Sequence, residues 1–258
     1  MSHISEAFKL GHKALITYVT VGYPSIEATL EIVPRLAELG SDIVELGIPF
    51  SDPLADGATI QNASYNALHN GVTPATCLDV ASRIRRKTGI PLLFMSYVNP
   101  VFSYGLGQFV GACATAGVDG LIIPDLPPEE ATELESLVSD RGMDIIYLLA
   151  PTSTAERIEI VNDHSKGFIY LVSVAGVTGA RTKLPTDLVD FVGRVKRQSS
   201  QPLCVGFGIS TPEQAREVSR YADGVIIGSR LVQLMEGARW RDDVSRFIAE
   251  MRAALDRP

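Results

Sequence analysis

Short apolar runs rich in β-branched residues alternate along the chain with longer segments in which apolar residues recur every three or four positions. The short runs predict β-strands, and the longer segments predict amphipathic helices. Successive runs are separated by roughly 30 residues, which is the spacing of a βα unit. The pattern predicts eight strands, at residues 14–19, 43–46, 92–97, 120–123, 145–149, 168–172, 203–206 and 224–227.

Helical periodicity fills the intervals between these strands. Several predicted helices begin at a proline followed by acidic residues, as at Pro128, and several end at a glycine, as at Gly117 and Gly142. The first ten residues place Ile4, Phe8 and Leu10 on one face and predict an extra helix ahead of the first strand. The other predicted helices cover residues 26–38, 74–88, 106–116, 128–141, 155–164, 186–198, 212–221 and 244–255.

Continuously apolar strands that alternate with amphipathic helices are typical of a parallel sheet whose outer face is covered. Eight units without a linker favour a closed (β/α)8 TIM barrel over an open doubly wound sheet. The open sheet usually carries a G-x-G-x-x-G turn after its first strand, whereas residues 20–24 here read TVGYP. We therefore predict that residues 1–258 form a single α/β barrel domain with an extra N-terminal helix.

Composition and charge exclude several classes of function. The net charge is −7, and the largest basic cluster is the short run at residues 83–87, which makes binding to nucleic acid or to an anionic membrane unfavourable. The N-terminus has no apolar segment of signal-peptide length, so we expect a cytoplasmic protein. Cys77, Cys113 and Cys204 are isolated, and no His/Cys/Asp cluster has metal-ligand spacing. We expect buried thiols and no metal.

The stretch at residues 45–57, ELGIPFSDPLADG, carries the most informative chemistry. Glu45 ends an apolar strand, and Asp52 and Asp56 lie in the loop that follows. Apolar surroundings favour the neutral form of the strand acid, while the loop acid stays ionised, and such a pair suits acid–base catalysis. Two structural explanations remain open: Glu45 as half of an ion pair, and Asp52 as the centre of a local Asx turn.

Glycine-rich loops follow the predicted strands six, seven and eight, and they contain Gly179, Gly208 and Gly228. Ser229 is predicted to open a helix whose free N–H groups point toward a bound anion. Each glycine alone indicates a turn, but three such loops at one corner of a barrel are typical of a phosphate site. We therefore expect a phosphorylated substrate.

Four aromatic residues lie at or near the C-terminal ends of predicted strands, where barrel active sites are found: Tyr18, Tyr97, Tyr170 and Phe207. Aromatic residues in strands are usually core residues, but at these positions they would line a flat apolar pocket. Asp125, between two prolines, is interpreted as a brace for its loop. No serine lies in a G-x-S-x-G elbow, so a hydrolase triad finds no support.

The chain resembles the alpha subunit family of tryptophan synthase over nearly its whole length. The resemblance lies in the motifs YVTVGYP at 18–24, ELGIPFSDPLADG at 45–57, TIQ at 59–61, PDLP at 124–127, GVTGAR at 176–181, GFGIS at 206–210 and GS at 228–229. It implies retro-aldol cleavage of indole-3-glycerol phosphate to indole and glyceraldehyde 3-phosphate. It also implies that this subunit needs no cofactor.

The resemblance also implies a role for each matched residue. Glu45 and Asp56 would be catalytic. Tyr18, Tyr97, Leu126 and Tyr170 would contact the indole; Gly179, Phe207, Gly208, Gly228 and Ser229 would hold the phosphate; and Asp52, Pro53 and Thr178 would lie on mobile loops that contact a partner. Well-known bacterial members have phenylalanine where this chain has Tyr18.

The partner implied by the resemblance is a beta subunit that uses pyridoxal phosphate, receives indole through a tunnel and completes an α2β2 tetramer. Two alternatives stay open from the sequence. The chain could be a stand-alone lyase that releases free indole, or a mainly allosteric subunit that binds the ligand with little turnover. The intact pair of Glu45 and Asp56 argues against a pure binder.

Overall fold

The computed structural model describes residues 3–9, 11–172, 186–206 and 208–257. Within these ranges the strands are β1 (Ala14–Thr20), β2 (Ile43–Gly47), β3 (Leu92–Met95), β4 (Gly120–Ile122), β5 (Asp144–Ile146), β6 (Leu148–Leu149), β7 (Ile169–Val172), β8 (Leu203–Gly206) and β9 (Gly224–Ile227). All neighbouring strands are parallel, in the order β5-β4-β3-β2-β1-β9-β8-β7-β6.

The two ends of this sheet are consecutive segments of the chain, because β5 and β6 are separated by Tyr147 alone. The Tyr147 N–H leaves the ladder and donates to Ser165 Oγ (3.1 Å), while its carbonyl accepts from Tyr170 N–H (3.0 Å). The single strand predicted over 145–149 is therefore two short strands, the first paired with β4 and the second with β7. This one interrupted strand closes the sheet into the predicted (β/α)8 barrel.

Helices cover the outside of the sheet. They are α1 (Ile26–Glu38), α2 (Ala58–His69), α3 (Pro74–Arg85), α4 (Val98–Tyr104), α5 (Leu106–Ala116), α6 (Thr132–Ser139), α7 (Ala155–His164), α8 (Thr186–Lys196), α9 (Pro212–Ser219), α10 (Ser229–Leu234) and α11 (Trp240–Leu255), with 3-10 turns at Ile4–Ala7 and Pro128–Glu130. No helix in the described ranges is both long enough and apolar enough to cross a membrane.

Two helices were not predicted, α2 and α4, and both lie in or directly after βα loops. The periodicity of α2 is diluted by polar residues such as Asn62 and Asn66, and α4 carries Pro100 within its first turn. The opening of a helix at Ser229 is confirmed. The predicted helix over 128–141 is a 3-10 turn followed by α6, and α11 begins four residues earlier than predicted.

Alternation along the strands separates the apolar core into an interior cluster and an outer cluster. Side chains that point into the barrel include Ala14, Ile16, Tyr18, Ile43, Leu93, Met95, Ile122, Ile146, Phe168, Tyr170, Cys204 and Ile226. Their neighbours along each strand point outward and pack against the helices, as Val44 and Leu46 do in β2. The three cysteines are buried, as predicted.

The N-terminal segment closes one end of the barrel, the end at which the strands begin. The predicted N-terminal helix is a single 3-10 turn, Ile4–Ala7, and Leu10 lies outside the described residues. Ile4 is fully buried in the interior cluster, and the Phe8 and Phe168 rings are 5.8 Å apart. The turn therefore plugs the end of the barrel that lies opposite the predicted site.

Candidate active site

Glu45 lies on β2, between Tyr18 of β1 and Leu93 of β3, and is 1% exposed. Because Val44 and Leu46 point outward, the alternation of the strand directs the Glu45 side chain into the barrel. Neither carboxyl oxygen has a hydrogen-bond partner among the described residues. The described part of the chain thus offers no ion pair to explain this buried acid.

Burial sets the protonation state of Glu45. Removal from water penalises the charged form and raises the pKa of the carboxyl from 4.5 to about 8. At neutral pH the side chain is therefore a protonated acid held in an apolar interior. Such a group can donate a proton, and its conjugate base is stronger than that of an ordinary glutamate.

Asp56 ends the loop between β2 and α2 and is half-buried. Burial raises the pKa of its carboxyl from 3.8 to about 6, and a hydrogen bond from the Tyr97 hydroxyl acts in the opposite direction. The Asp56 carbonyl also accepts from Gln61 Nε2 at 2.9 Å, which ties the end of the loop to α2. With these pKa values Glu45 is neutral and Asp56 is ionised at pH 7.

Tyr97 connects the end of β3 to this loop. Its hydroxyl accepts the Ala55 N–H at 2.9 Å and donates to the Asp56 carboxylate. Its ring stacks on Phe50, with ring centroids 5.2 Å apart. The structure therefore places Tyr97 against the loop that carries Asp56, and the predicted strand over 92–97 ends at Met95 so that Tyr97 precedes α4.

Tyr18 and Tyr170 are buried in the interior cluster beside the two acids. Burial, and then the nearby carboxylates, raise the pKa of each hydroxyl well above its usual value, so both stay neutral. The Tyr18 hydroxyl lies 3.3 Å from Thr20 Oγ1.

Both rings depend on a glycine at the end of the neighbouring strand. A Cβ at Gly47 would lie 2.5 Å from Tyr18 Cζ, and one at Gly206 would lie 2.6 Å from Tyr170 Cε1. Any larger side chain at either position would therefore push the ring out of its place. Sequence reasoning missed this relation, although glycine at the end of an otherwise apolar strand is a readable signal.

The other residues predicted to contact the substrate are Leu126 and the residues of the glycine-rich loops. Leu126 is buried, but it packs in the outer cluster rather than with Tyr18 and Tyr170. Gly208 has a φ of +80° after β8, and Gly228 precedes α10, which begins at the exposed Ser229. The strands before these loops, β8 and β9, are hydrogen-bonded neighbours, so the two glycine loops share one corner. Thr178, Gly179 and Phe207 lie outside the described residues.

Two of the predicted partner-contact residues, Asp52 and Pro53, lie within the described residues. Asp52 is exposed, and its carboxylate accepts from the Ser51 hydroxyl at 2.5 Å, so its side-chain bond is to a neighbour rather than to an Asx-turn N–H. Pro53 is half-buried, and Leu54 is 93% exposed. A fully solvated leucine beside the active-site loop was not singled out from the sequence.

The contacts of Asp125 confirm the prediction that it braces its loop. Its Oδ1 accepts the Val98 N–H at 2.9 Å and so satisfies the first turn of α4. No group of three or more His, Cys, Asp and Glu side chains that could hold a metal ion occurs in the described ranges. Fold and site together define a (β/α)8-barrel enzyme of the acid–base type, with a neutral buried acid and an ionised acid at one end of the barrel.

Comparison with known proteins gives the family. A profile of the family described as tryptophan synthase alpha chain matches residues 4–255. The tryptophan synthase alpha chain of Dehalococcoides mccartyi is 58% identical over 256 residues, covering 99% of this chain and 100% of the relative. That of Chloroflexus aurantiacus is 47% identical over 266 residues, with all of both chains covered.

Solved structures agree with the sequence comparison. Tryptophan synthase subunit alpha from Legionella pneumophila superposes with a TM-score of 0.91 at 36% identity, covering 99% of each chain. A chain of tryptophan synthase from M. tuberculosis superposes with a TM-score of 0.90 at 36% identity, with both chains fully covered. The chain belongs to the tryptophan synthase alpha chain family, and its reaction is the lyase cleavage of indole-3-glycerol phosphate. The family and fold predicted from the sequence are confirmed.

Proposed function

We propose that the chain cleaves indole-3-glycerol phosphate with Glu45 as general acid and then general base, assisted by the carboxylate of Asp56. One observation carries this assignment: the Glu45 carboxyl is buried at a strand end without a hydrogen-bond partner in the described part of the chain. A buried unpaired acid is costly to the fold, and a reacting substrate is the partner that makes its position useful.

In the first step the protonated Glu45 transfers its proton to C3 of the indole ring. The ring then carries a positive charge centred on its nitrogen, and the glycerol chain is attached to a saturated carbon. Asp56, ionised at neutral pH, accepts a hydrogen bond from the ring N–H and stabilises that charge. The neutral hydroxyls of Tyr18 and Tyr170 add no competing charge to the pocket.

In the second step the Glu45 carboxylate removes the proton from the hydroxyl on the carbon adjacent to C3. The bond between that carbon and C3 breaks, its electron pair returns to the ring, and indole is released. The hydroxyl carbon becomes the aldehyde of glyceraldehyde 3-phosphate, and Glu45 is protonated again. A pKa of about 8 suits both steps, because the same group must donate and then accept a proton near neutral pH.

Binding is proposed to follow the predicted assignments. Tyr18, Tyr97 and Tyr170, with Leu126, would contact the indole ring, and Gly208, Gly228 and Ser229, with Gly179 and Phe207, would hold the phosphate. Backbone N–H groups suffice for the phosphate corner, so a lysine is not required there. We assign no cofactor to this subunit and place pyridoxal phosphate in a beta subunit.

We propose that the beta subunit contacts the surface around Asp52 and Pro53 in an α2β2 tetramer in the cytoplasm, and receives indole from this site. Leu54, 93% exposed, and Phe102, 54% exposed, support this surface, because two large apolar side chains exposed at the same end of the barrel offer area that a partner would bury. Leu54 lies in the loop after β2, which also carries Asp56, and Phe102 lies in α4 after Tyr97, so a partner seated there would lie over the site.

The test is to follow glyceraldehyde 3-phosphate release from indole-3-glycerol phosphate, with and without a tryptophan synthase beta subunit. We expect slow cleavage alone and faster cleavage with the partner. Glu45→Gln and Asp56→Asn should each lower kcat by about 100-fold or more, whereas Glu250→Gln, an exposed helix position, should not. Near-normal turnover in either active-site variant contradicts the mechanism. Fast cleavage without the partner would identify a lyase that releases free indole. If no cleavage occurred with or without the partner, the chain would be a binding subunit.

A further inference from the structure

The loops after three neighbouring strands are joined by one chain of hydrogen bonds at the site. Asp125, after β4, accepts the Val98 N–H at 2.9 Å. Val98 follows Tyr97, whose hydroxyl accepts the Ala55 N–H at 2.9 Å and donates to Asp56 in the loop after β2. These contacts connect the Asp125 carboxylate, which has no place in the proposed chemistry, to the Asp56 carboxylate, which has a direct role.

Each connection in this chain fixes a different part of Tyr97. The N-cap position of α4 is Tyr97 itself, which makes no side-chain capping bond, so the Asp125 carboxylate supplies the acceptor for the helix start. The stacked Phe50 ring fixes the plane of the Tyr97 ring. With backbone and ring both held, the hydroxyl has one position, and it contacts the loop at two consecutive residues.

We propose that Tyr97 is the positioning residue for Asp56, and that Asp125 is a positioning residue that acts through Tyr97. This inference rests on the proposed role of Asp56 at the indole N–H. It assigns to Tyr97 a function beyond lining the pocket. The Tyr97 hydroxyl holds the carboxylate where it meets the substrate and favours its ionised form.

Beyond the effect of burial, the Asp56 carboxylate raises the pKa of three hydroxyls in the described structure, those of Tyr97, Tyr18 and Tyr170, and Glu45 adds to the rise for Tyr18 and Tyr170. The hydrogen bond that lowers the pKa of Asp56 comes from Tyr97, whereas burial alone raises it. Burial and then Asp56 raise the pKa of the Tyr97 hydroxyl, and Asp125 is the smallest contribution, so its effect on Tyr97 is exerted mainly through the bond to the Val98 N–H. Loss of the Tyr97 hydroxyl therefore moves the pKa of Asp56 further above about 6, and leaves Glu45 without a change in its contacts.

The experiment compares Tyr97→Phe with the matched control Tyr104→Phe, which removes a hydroxyl from the other end of the same helix. For Tyr97→Phe we expect kcat at pH 7 to fall about ten-fold, because the free energy of one hydrogen bond to a charged group corresponds to a change of about that size. The acidic limb of the pH–kcat/KM profile should rise by about one pH unit, while the alkaline limb stays in place. A merely structural loss would lower the rate without moving the acidic limb.

A second pair of variants tests the Asp125 connection. Asp125→Asn keeps an acceptor for the Val98 N–H, and we expect a nearly normal pH profile. Asp125→Ala removes the acceptor and should shift the acidic limb in the same direction as Tyr97→Phe, by a smaller amount. Equal profiles for the asparagine and alanine variants would remove Asp125 from the proposal.

A direct titration separates this inference from the proposed function. Carbon-13 NMR of the carboxyl groups gives the pKa of Asp56 in the folded protein without substrate, with Asp56→Asn to assign the signal. An unchanged pKa and an unmoved acidic limb in Tyr97→Phe overturn the positioning role, even if Asp56→Asn is inactive. If Asp56→Asn cleaves normally, the proposed function fails instead, whatever Tyr97→Phe does to the titration.

Discussion

Replacing Glu45 with glutamine should stabilise the fold while it abolishes the chemistry. At pH 7 a glutamate in the unfolded chain is ionised, whereas the buried Glu45 is protonated, because burial raises its pKa from 4.5 to about 8. Folding of the wild type must therefore take up a proton from neutral solution, and that uptake is unfavourable. Glutamine has nearly the same shape and is neutral in both states.

The magnitude follows from the two pKa values. For an acid whose pKa is higher in the folded state, its stabilising effect is complete below pH 4.5 and is lost as pH rises toward 8. Each pH unit in that window changes the free energy of unfolding by about 1.4 kcal/mol. Relative to wild type, Glu45→Gln should therefore gain about 1 kcal/mol at pH 5 and about 3 kcal/mol at pH 7. Above pH 8 the gain should level off.

Urea denaturation at pH 5, 6, 7 and 8 measures this difference. Fluorescence of Trp240, the one tryptophan of the chain, and far-UV circular dichroism should be followed together, since coincident transitions justify a single free energy. Glu250→Gln is the matched control, because the same change on an exposed face of α11 should give no trend with pH. A stability difference between Glu45→Gln and wild type that does not grow with pH would refute the reasoning.

Three further outcomes are expected. The kcat/KM profile should be bell-shaped, falling below about pH 6 as Asp56 gains a proton and above about pH 8 as Glu45 loses one; a rate that keeps rising at pH 9 contradicts this assignment. Ile4→Ala should lower the free energy of unfolding in urea by about 3 kcal/mol with kcat unchanged, because Ile4 is fully buried at the opposite end of the barrel; a reduced kcat of the folded variant would count against that separation. Leu54→Asp should leave unaided cleavage intact and raise the beta-subunit concentration needed for half-maximal activation; an unchanged titration removes Leu54 from the proposed interface.

The barrel could be predicted from the sequence because its strands bury both faces and its helices bury one. A strand buried on both faces is a short continuous apolar run, whereas a helix buried on one face has apolar residues every three or four positions. Each pattern can be recognised within a short stretch of sequence. What escaped prediction depended on contacts between distant parts of the chain. Tyr147 interrupts a strand because Ser165, eighteen residues later, captures its N–H. The helix α2 holds polar residues on a face that only the folded barrel exposes.

The site could be predicted in part for the same reason. Glu45 stands out because a charged residue within an apolar strand contradicts its surroundings, and the structure places it inside the barrel. The bond from Tyr97 to Asp56 could not be predicted, since it joins residues in the loops that follow two different strands, and the sequence does not give the path of either loop. Gly47 and Gly206 were visible as glycines, but the rings that require them lie on neighbouring strands.

Ile4 and Phe8 close the N-terminal end of the barrel, which leaves only the opposite end open. The interior beyond this closed end is packed, so under the proposed assignment of Glu45 the substrate and both products pass through the one open end, where the strands carrying Glu45 and Tyr170 finish. Two products formed side by side must leave through the same rim. Any partner that collects one of them has to sit on that rim, and in doing so it controls the departure of the other.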